Sequence, residues 1–200
     1  MDVLSAYSGA IAAVWIVVGI IVAAQFYPGY SHSKQFCSEL GAHGSPTQKL
    51  SPAINNFPLS VWFTLFGSFL IGQGAGDVWL SLIGAMIIVH GVGTWVAGYF
   101  PMDLDPYTES PSRSCQIHSW AGLAMMLSLL VAPTIAAAID HYPNWFRLFS
   151  VACLLGTVIF TITLAKAYKA KANPGLHQRL SYGCQILWLF VYSLMIAQTL

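Results

Sequence analysis

Charge is what this sequence has least of. Of its 200 residues, eight are Lys or Arg and seven are Asp or Glu, so charged residues make up 8%, against roughly 25% in an average soluble domain. So few charges cannot solvate a water-soluble fold of this size. They also exclude a disordered chain and a nucleic-acid binder, which would need a basic face. Short segments of alternating apolar and polar residues are missing too, which excludes a barrel built from strands of about ten residues. Paired Cys-x-x-Cys spacing is absent. The four cysteines, Cys37, Cys115, Cys153 and Cys184, read as small packed hydrophobes, with Cys115-x-x-His118 and His32-x4-Cys37 as the weaker zinc-ligand alternatives. What the chain does have is apolar residues, 56% of the total, and a mean hydropathy of +0.66. It reads as an all-α polytopic membrane bundle.

A helix crossing about 30 Å of hydrocarbon needs about 20 mainly apolar residues. Six stretches meet that need: Ser5–Phe26, Phe57–Ile71, Val78–Phe100, His118–Ile139, Trp145–Ala165 and Leu180–Leu200. The second is short unless residues before Pro58 extend it. The first lacks the basic flank of a cleavable signal. No linker or repeat divides the chain, so residues 1–200 read as a single six-helix transmembrane domain.

Gly72–Asp77 and Asp140–Asn144 are tight turns, whereas Tyr27–Asn56, Pro101–Ile117 and Lys166–Arg179 are long. With six spans, the three long connections emerge on one side. They hold seven of the eight basic residues, all but Arg147. The positive-inside bias therefore puts them in the cytosol and both termini outside.

The scarce polar residues gather in the first two long connections. In the first, Ser33 is placed to cap a short interfacial or re-entrant helix running to Leu40 and stopping at Gly41, the alternative being an amphipathic surface loop. Phe36, Cys37 and Leu40 would share its apolar face, with Ser38 and Glu39 to either side. In the second, Asp103 follows Pro101 at the end of span three, and His118 begins span four. They sit at neighbouring ends of consecutive helices, close enough along the chain to meet. Asp103-x-Asp105 can share a divalent cation or face opposite ways. A neutral His at a helix N-terminus suits metal ligation or general-base work, while a plain Asp–His tie between loop and bundle needs no ligand.

His90 lies about ten residues from the inner end of its span, roughly 15 Å deep. An ionisable group there is either functional or a neutral imidazole hydrogen-bonded across helices, with Thr94, Thr161 and Gln185 as candidate partners. Gly84, Gly91 and Gly98 recur every seven residues on the same span, a small-residue stripe for close helix packing. Gln185, Trp188 and Tyr192 form a polar stripe on the last span. Arg179, just before it, can grip a lipid phosphate or serve only as a basic anchor.

Several segments taken in order resemble a family of prokaryotic membrane proteins catalogued as domain of unknown function 998. They are Pro28-Gly-Tyr-Ser-His32, Ser38-Glu-Leu-Gly41 with Gly44-Ser-Pro46, Asn55-Asn-Phe57, Phe100-Pro-Met-Asp103, His118 with Gly122, and Gln178-Arg-Leu180. The resemblance covers nearly the whole chain. It implies a six-helix bundle in the cytoplasmic (inner) membrane of a bacterium or archaeon, and it carries no activity.

Three functions follow from where the polar groups fall. The first is a hydrolase or transferase acting on a lipid-like substrate at the inner leaflet. Its catalytic residues would be Ser38, Glu39, Asp103 and His118, and Ser31, His32, Arg179 and Gln185 would bind substrate. Zinc or another divalent metal held by Asp103 and His118 would activate water or polarise an ester. The second is a non-catalytic lipid-binding or assembly protein using the same motifs. The third, a small-solute transporter relaying through His90 and Gln185, has very few ionisable groups in its spans. A bis-His haem lacks a partner for His90 at matching depth. The expected partners are membrane lipids and no nucleic acid, with homo-oligomerisation left open.

Overall fold

A computed structural model of the chain describes residues 3–198. Every regular element among the described residues is helical: α1 (Val3–Gln25), a 3₁₀ turn (Cys37–Gly41), α2 (Leu50–Ile54), α3 (Asn56–Gln73), α4 (Val78–Tyr99), α5 (Arg113–Ala138), α6 (Asn144–Ala170) and α7 (Pro174–Ala197). Six helical segments, with α2 and α3 counted as one, are long and apolar enough to cross a membrane. The six expected spans are these segments. The C-terminal limit expected for the last, Leu200, lies outside the described residues.

Two spans begin earlier than hydropathy suggests. α5 starts at Arg113 and α7 at Pro174. Polar first turns hide a helix from an apolarity count, yet Ser112 caps α5 by accepting from Cys115 N at 3.1 Å, and Pro174 opens α7 at a position that needs no N–H donor. The second span is extended as its shortness required, but with a break at Asn55. Pro58 cannot donate to the Ile54 carbonyl four residues back. The indole of Trp15 on α1 supplies that bond instead, Nε1 to Ile54 O at 2.7 Å.

The six spans form a closed ring. Each packs on its neighbours in the chain, and α1 closes the circle against α7. α3 and α4 approach most closely where Gly67 faces Gly84. A Cβ on either would lie 2.5–2.6 Å from the other's carbonyl oxygen. Gly91 continues the contact against Phe63 and Thr64, and Gly98 against Asn56. The expected glycine stripe is thus the α3–α4 seam.

The ring is filled unequally. Toward the end that carries the tight turns, the interior is filled and aromatic. Phe63, Phe66, Phe146, Trp188, Leu189 and Tyr192 are fully buried there. Tyr192 stacks on Trp188 and Phe146 at 4.9 and 5.5 Å between centroids. Its hydroxyl pairs with that of Tyr142 at 2.8 Å, and Trp188 Nε1 donates to Ser150 Oγ at 2.9 Å, so the polar tips of these rings are satisfied. The outward faces are apolar. Leu148, Leu155, Ile159 and Ile162 on α6 are more than half exposed, as expected of surface that meets lipid.

The short interfacial helix differs from expectation. It is a 3₁₀ turn beginning after Phe36, and Ser33 does not cap it. Glu39 fills that role by accepting from Phe36 N at 2.7 Å. Ser33 is drawn elsewhere: its carbonyl accepts from Leu176 N at 2.8 Å, tying the connection to the start of α7.

Candidate functional site

Below the aromatic half, at the end carrying the three long connections, the ring is hollow. A cavity of about 330 Å³ is lined from α1, α2, α3, α4, α5, α6, α7 and the 3₁₀ turn. Its polar wall includes Ser38, Asn55, Thr94, His118, Gln178 and Gln185. The segment from Tyr27 to Gly41 closes one side of this end, and α7 holds it there. The Arg179 guanidinium donates to the carbonyls of His32, Gln35 (2.8 Å) and Gly175 (3.0 Å), and to the Tyr30 hydroxyl at 2.6 Å. Tyr30 in turn donates to Phe36 O at 2.8 Å, and Cys37 N donates to Gln178 Oε1 at 2.8 Å. Gly175 is glycine because a Cβ there would strike the Gln35 carbonyl. Burial raises the Tyr30 phenol above its usual range, outweighing the neighbouring guanidinium. Partial desolvation and then Arg179 hold His32 below the ordinary imidazole value.

The residues expected to carry catalysis occupy different places. Ser38 and His118 line the cavity. The His118 Nδ1–H is shared between the carbonyls of Ala97 and Phe100, both at 3.0 Å. Carbonyls only accept, so Nδ1 carries the proton and Nε2 keeps its lone pair. Glu39 and Asp103 do not line the cavity. The Glu39 carboxylate is buried and caps the 3₁₀ turn, its second oxygen accepting from Gln35 Nε2 at 3.1 Å. Asp103 accepts from Ser112 N at 2.8 Å, and hydrogen bonding by the Ser112 hydroxyl and then its amide holds it below the usual carboxylate range. Asp105 faces another turn, accepting from Tyr107 N at 2.9 Å, so the two aspartates do not share a partner. Among the described residues no group of three His, Cys, Asp or Glu side chains could hold a metal ion, and all four cysteines are free thiols.

Of the residues expected to bind substrate, Gln185 lines the cavity and donates to Met126 O at 3.3 Å. His32 and Arg179 line a neighbouring groove between α1 and α7. Ser31 Oγ pairs with Ser33 Oγ at 3.2 Å. His90 is a buried node between helices, but not with the partners expected. Its Nδ1 donates to Met125 O at 3.1 Å and its Nε2 accepts from the Tyr182 hydroxyl at 2.9 Å. Thr94 donates to the His90 carbonyl instead of the ring. Tyr182 lies toward the start of α7, beyond the stripe that drew attention to that span.

Sequence reasoning overlooked Asn55 as a site residue. It is 5% exposed and lines the cavity, and both its amide nitrogen and its amide oxygen lack a hydrogen-bond partner. Gly19 on α1 leaves room for it, since a Cβ there would strike Asn55 Oδ1. The visible signal was an Asn–Asn pair just before the proline of an apolar span. Asn56 has a structural role, donating to Thr94 O at 3.1 Å.

Glu39 gives the site a pH signature. Burial raises its pKa above the ordinary glutamate value, and bonds from Phe36 N and Gln35 only partly oppose this. A carboxyl whose pKa is higher folded than unfolded loses stability as pH rises through that interval, because the folded state then holds more protons. Glu39→Gln cannot ionise. Its thermal midpoint in detergent should therefore improve relative to wild type as pH is raised from about 4 to 7. A relative midpoint that falls over that range would contradict this account of Glu39.

Six apolar spans in a ring around a half-hollow interior define a multi-pass integral membrane protein. The chain belongs to the family described as protein of unknown function (DUF998), which matches residues 10–195. No curated protein and no solved structure matches it.

Proposed function

We propose that the chain binds a lipid or lipid-like amphiphile, with the polar part of that molecule in the cavity at the basic end of the ring. The basic end is assigned to the cytosolic face of a prokaryotic inner membrane, because seven of the eight Lys and Arg residues belong to its connections. The observation that carries the reading is the unpaired amide of Asn55, a residue in the wall of this polar-lined hollow. Leaving a buried polar group unpaired costs about 1–3 kcal/mol, and a hydrogen-bonding ligand offsets that cost. The aromatic half makes the cavity blind at its far end, which favours binding over permeation.

Gly122 offers a direct test. It lines the cavity, and a Cβ placed there meets nothing within 4 Å. Gly122→Phe should fill the hollow while leaving the thermal midpoint within a few degrees of wild type. Native mass spectrometry of chain purified from membranes should show one retained amphiphile on wild type and none on the variant. Equal retention by both would refute the reading.

A second reading, hydrolysis or transfer at an ester of that amphiphile, is favoured by the free Nε2 lone pair of His118 on the wall shared with Ser38. His118 would accept the proton of water or of the Ser38 hydroxyl. Glu39 and Asp103 would support it by fixing the loops, and a divalent ion would have only Asp103 and His118 as its carboxylate–imidazole pair. Turnover of an ester amphiphile by wild type but not by His118→Gln would establish this. Binding without turnover by wild type would leave a binding protein.

A further inference from the structure

The cavity wall supplies hydroxyls, amides and one neutral imidazole. Among the described residues it contains no Asp, Glu, Lys or Arg. Such a wall pairs well with hydroxyl, ether or amide groups. It pairs poorly with a phosphate or carboxylate, because burying an ion without a counter-charge is strongly disfavoured. Asn55 sharpens this preference: its unpaired amide, packed against Gly19, offers both a donor and an acceptor once the side chain turns toward the cavity. A hydroxyl, which donates one hydrogen bond and accepts others, answers both.

The cavity adjoins a groove. Between α1 and α7 a cleft of about 610 Å³ opens on the lipid-facing side, lined chiefly by aliphatic side chains such as Val17, Ile21, Ile186 and Leu187. Four residues, Ile16, Ile20, Cys37 and Tyr182, line both volumes. A second lipid-facing hollow of about 550 Å³, between Tyr7 and Ile54, shares no lining residue with the cavity. The α1–α7 groove is therefore the lipid-facing hollow that borders the polar chamber. Arg179 stands at the groove's head, but both its terminal nitrogens are already engaged with His32, Gln35, Gly175 and Tyr30.

We propose, building on the amphiphile reading, that the ligand has an uncharged, hydroxyl-bearing head held against Asn55 and a single alkyl chain that leaves through the α1–α7 groove. Monoacylglycerols, alkyl glycosides and long-chain alcohols belong to this class. Lysophosphatidates and fatty acids do not.

The test uses the full chain in phosphatidylcholine nanodiscs, since a maltoside or glucoside detergent would itself compete. The probe is a monoacylglycerol with a photoreactive diazirine in its chain, and labelled positions are mapped by peptide mass spectrometry. Labelling should concentrate on the groove walls of α1 and α7. Unlabelled mono-oleoylglycerol should compete at least tenfold more effectively than oleoyl lysophosphatidate, and Asn55→Ala should weaken labelling about tenfold. Removing an unpaired buried amide should leave the midpoint of the empty chain unchanged or higher. The head-group comparison needs no variant, so misfolding of Asn55→Ala would not rescue the proposal. Equal or better competition by lysophosphatidate would overturn the uncharged head, leave the amphiphile reading standing and point to Arg179. Labelling spread evenly over the lipid-facing surface, α6 included, with no competition by either compound, would overturn both.

Discussion

Replacing Arg179 with alanine is expected to detach the Tyr27–Gly41 segment from the bundle. One guanidinium serves three backbone carbonyls from two segments and the Tyr30 hydroxyl. Hydrogen bonds to a charged donor contribute about 1.5–3 kcal/mol each when buried. Because Arg179 is only half-buried, water replaces part of what is lost, and a net destabilisation of about 2–4 kcal/mol is expected. Arg179→Lys should recover little, since one ammonium cannot reproduce a planar fork aimed at several acceptors. The local readout is Cys37, whose amide is held by Gln178 one residue before Arg179. Burial raises its thiol pKa, which slows its reaction in wild type. Alkylation of Cys37, resolved by mass spectrometry, should quicken at least tenfold in Arg179→Ala, with Cys153 unchanged. Unaltered Cys37 reactivity would show that the segment is held by something else.

The second large effect is expected at the α3–α4 seam. Gly67 and Gly84 face each other so closely that a Cβ on either meets the opposite backbone carbonyl. Backbone cannot swing aside as a flexible side chain can. Gly84→Val should therefore force the helices apart along the seam. Overpacking a tight core costs typically 1–3 kcal/mol and occasionally more, and the upper end is expected because the obstruction is backbone. Gly122→Val, in open space, is the matched control. A loss of folded, monodisperse protein for Gly84→Val but not Gly122→Val, read by size-exclusion chromatography, is the predicted pattern. Equal behaviour of the two would mean that the seam is looser than drawn.

The spans were legible because lipid enforces long apolar helices, and the glycine stripe was legible because its period matches one helix face. Helix starts were less so. Arg113 and Arg179 sit in helices whose opening residues are not apolar enough to count as span, so hydropathy reads them as loop. The short helix after Ser33 was misread because a capping residue indicates local preference only, and Leu176 on a distant helix claimed the Ser33 carbonyl. The polar cluster was half legible. Ser38, His118 and Gln185 do face one cavity, but Glu39 and Asp103 satisfy nearby backbone amides, which spacing alone could not reveal. Asn55 escaped because an amide before a proline reads as a turn former. Its part becomes visible only once Gly19, from another helix, is seen to make space for it.

The closure of the ring between α1 and α7 has a consequence for biosynthesis. Those helices are the first and last spans of the described chain, with four spans between them, so their joint forms only after everything else has been inserted. Until then Asn55 and its hydroxyl-bearing neighbours border an unsealed wall, exposed to whatever bilayer molecules diffuse past. A lipid captured at that stage would be enclosed as the last span docks, and the newly made protein could leave the insertion machinery already loaded.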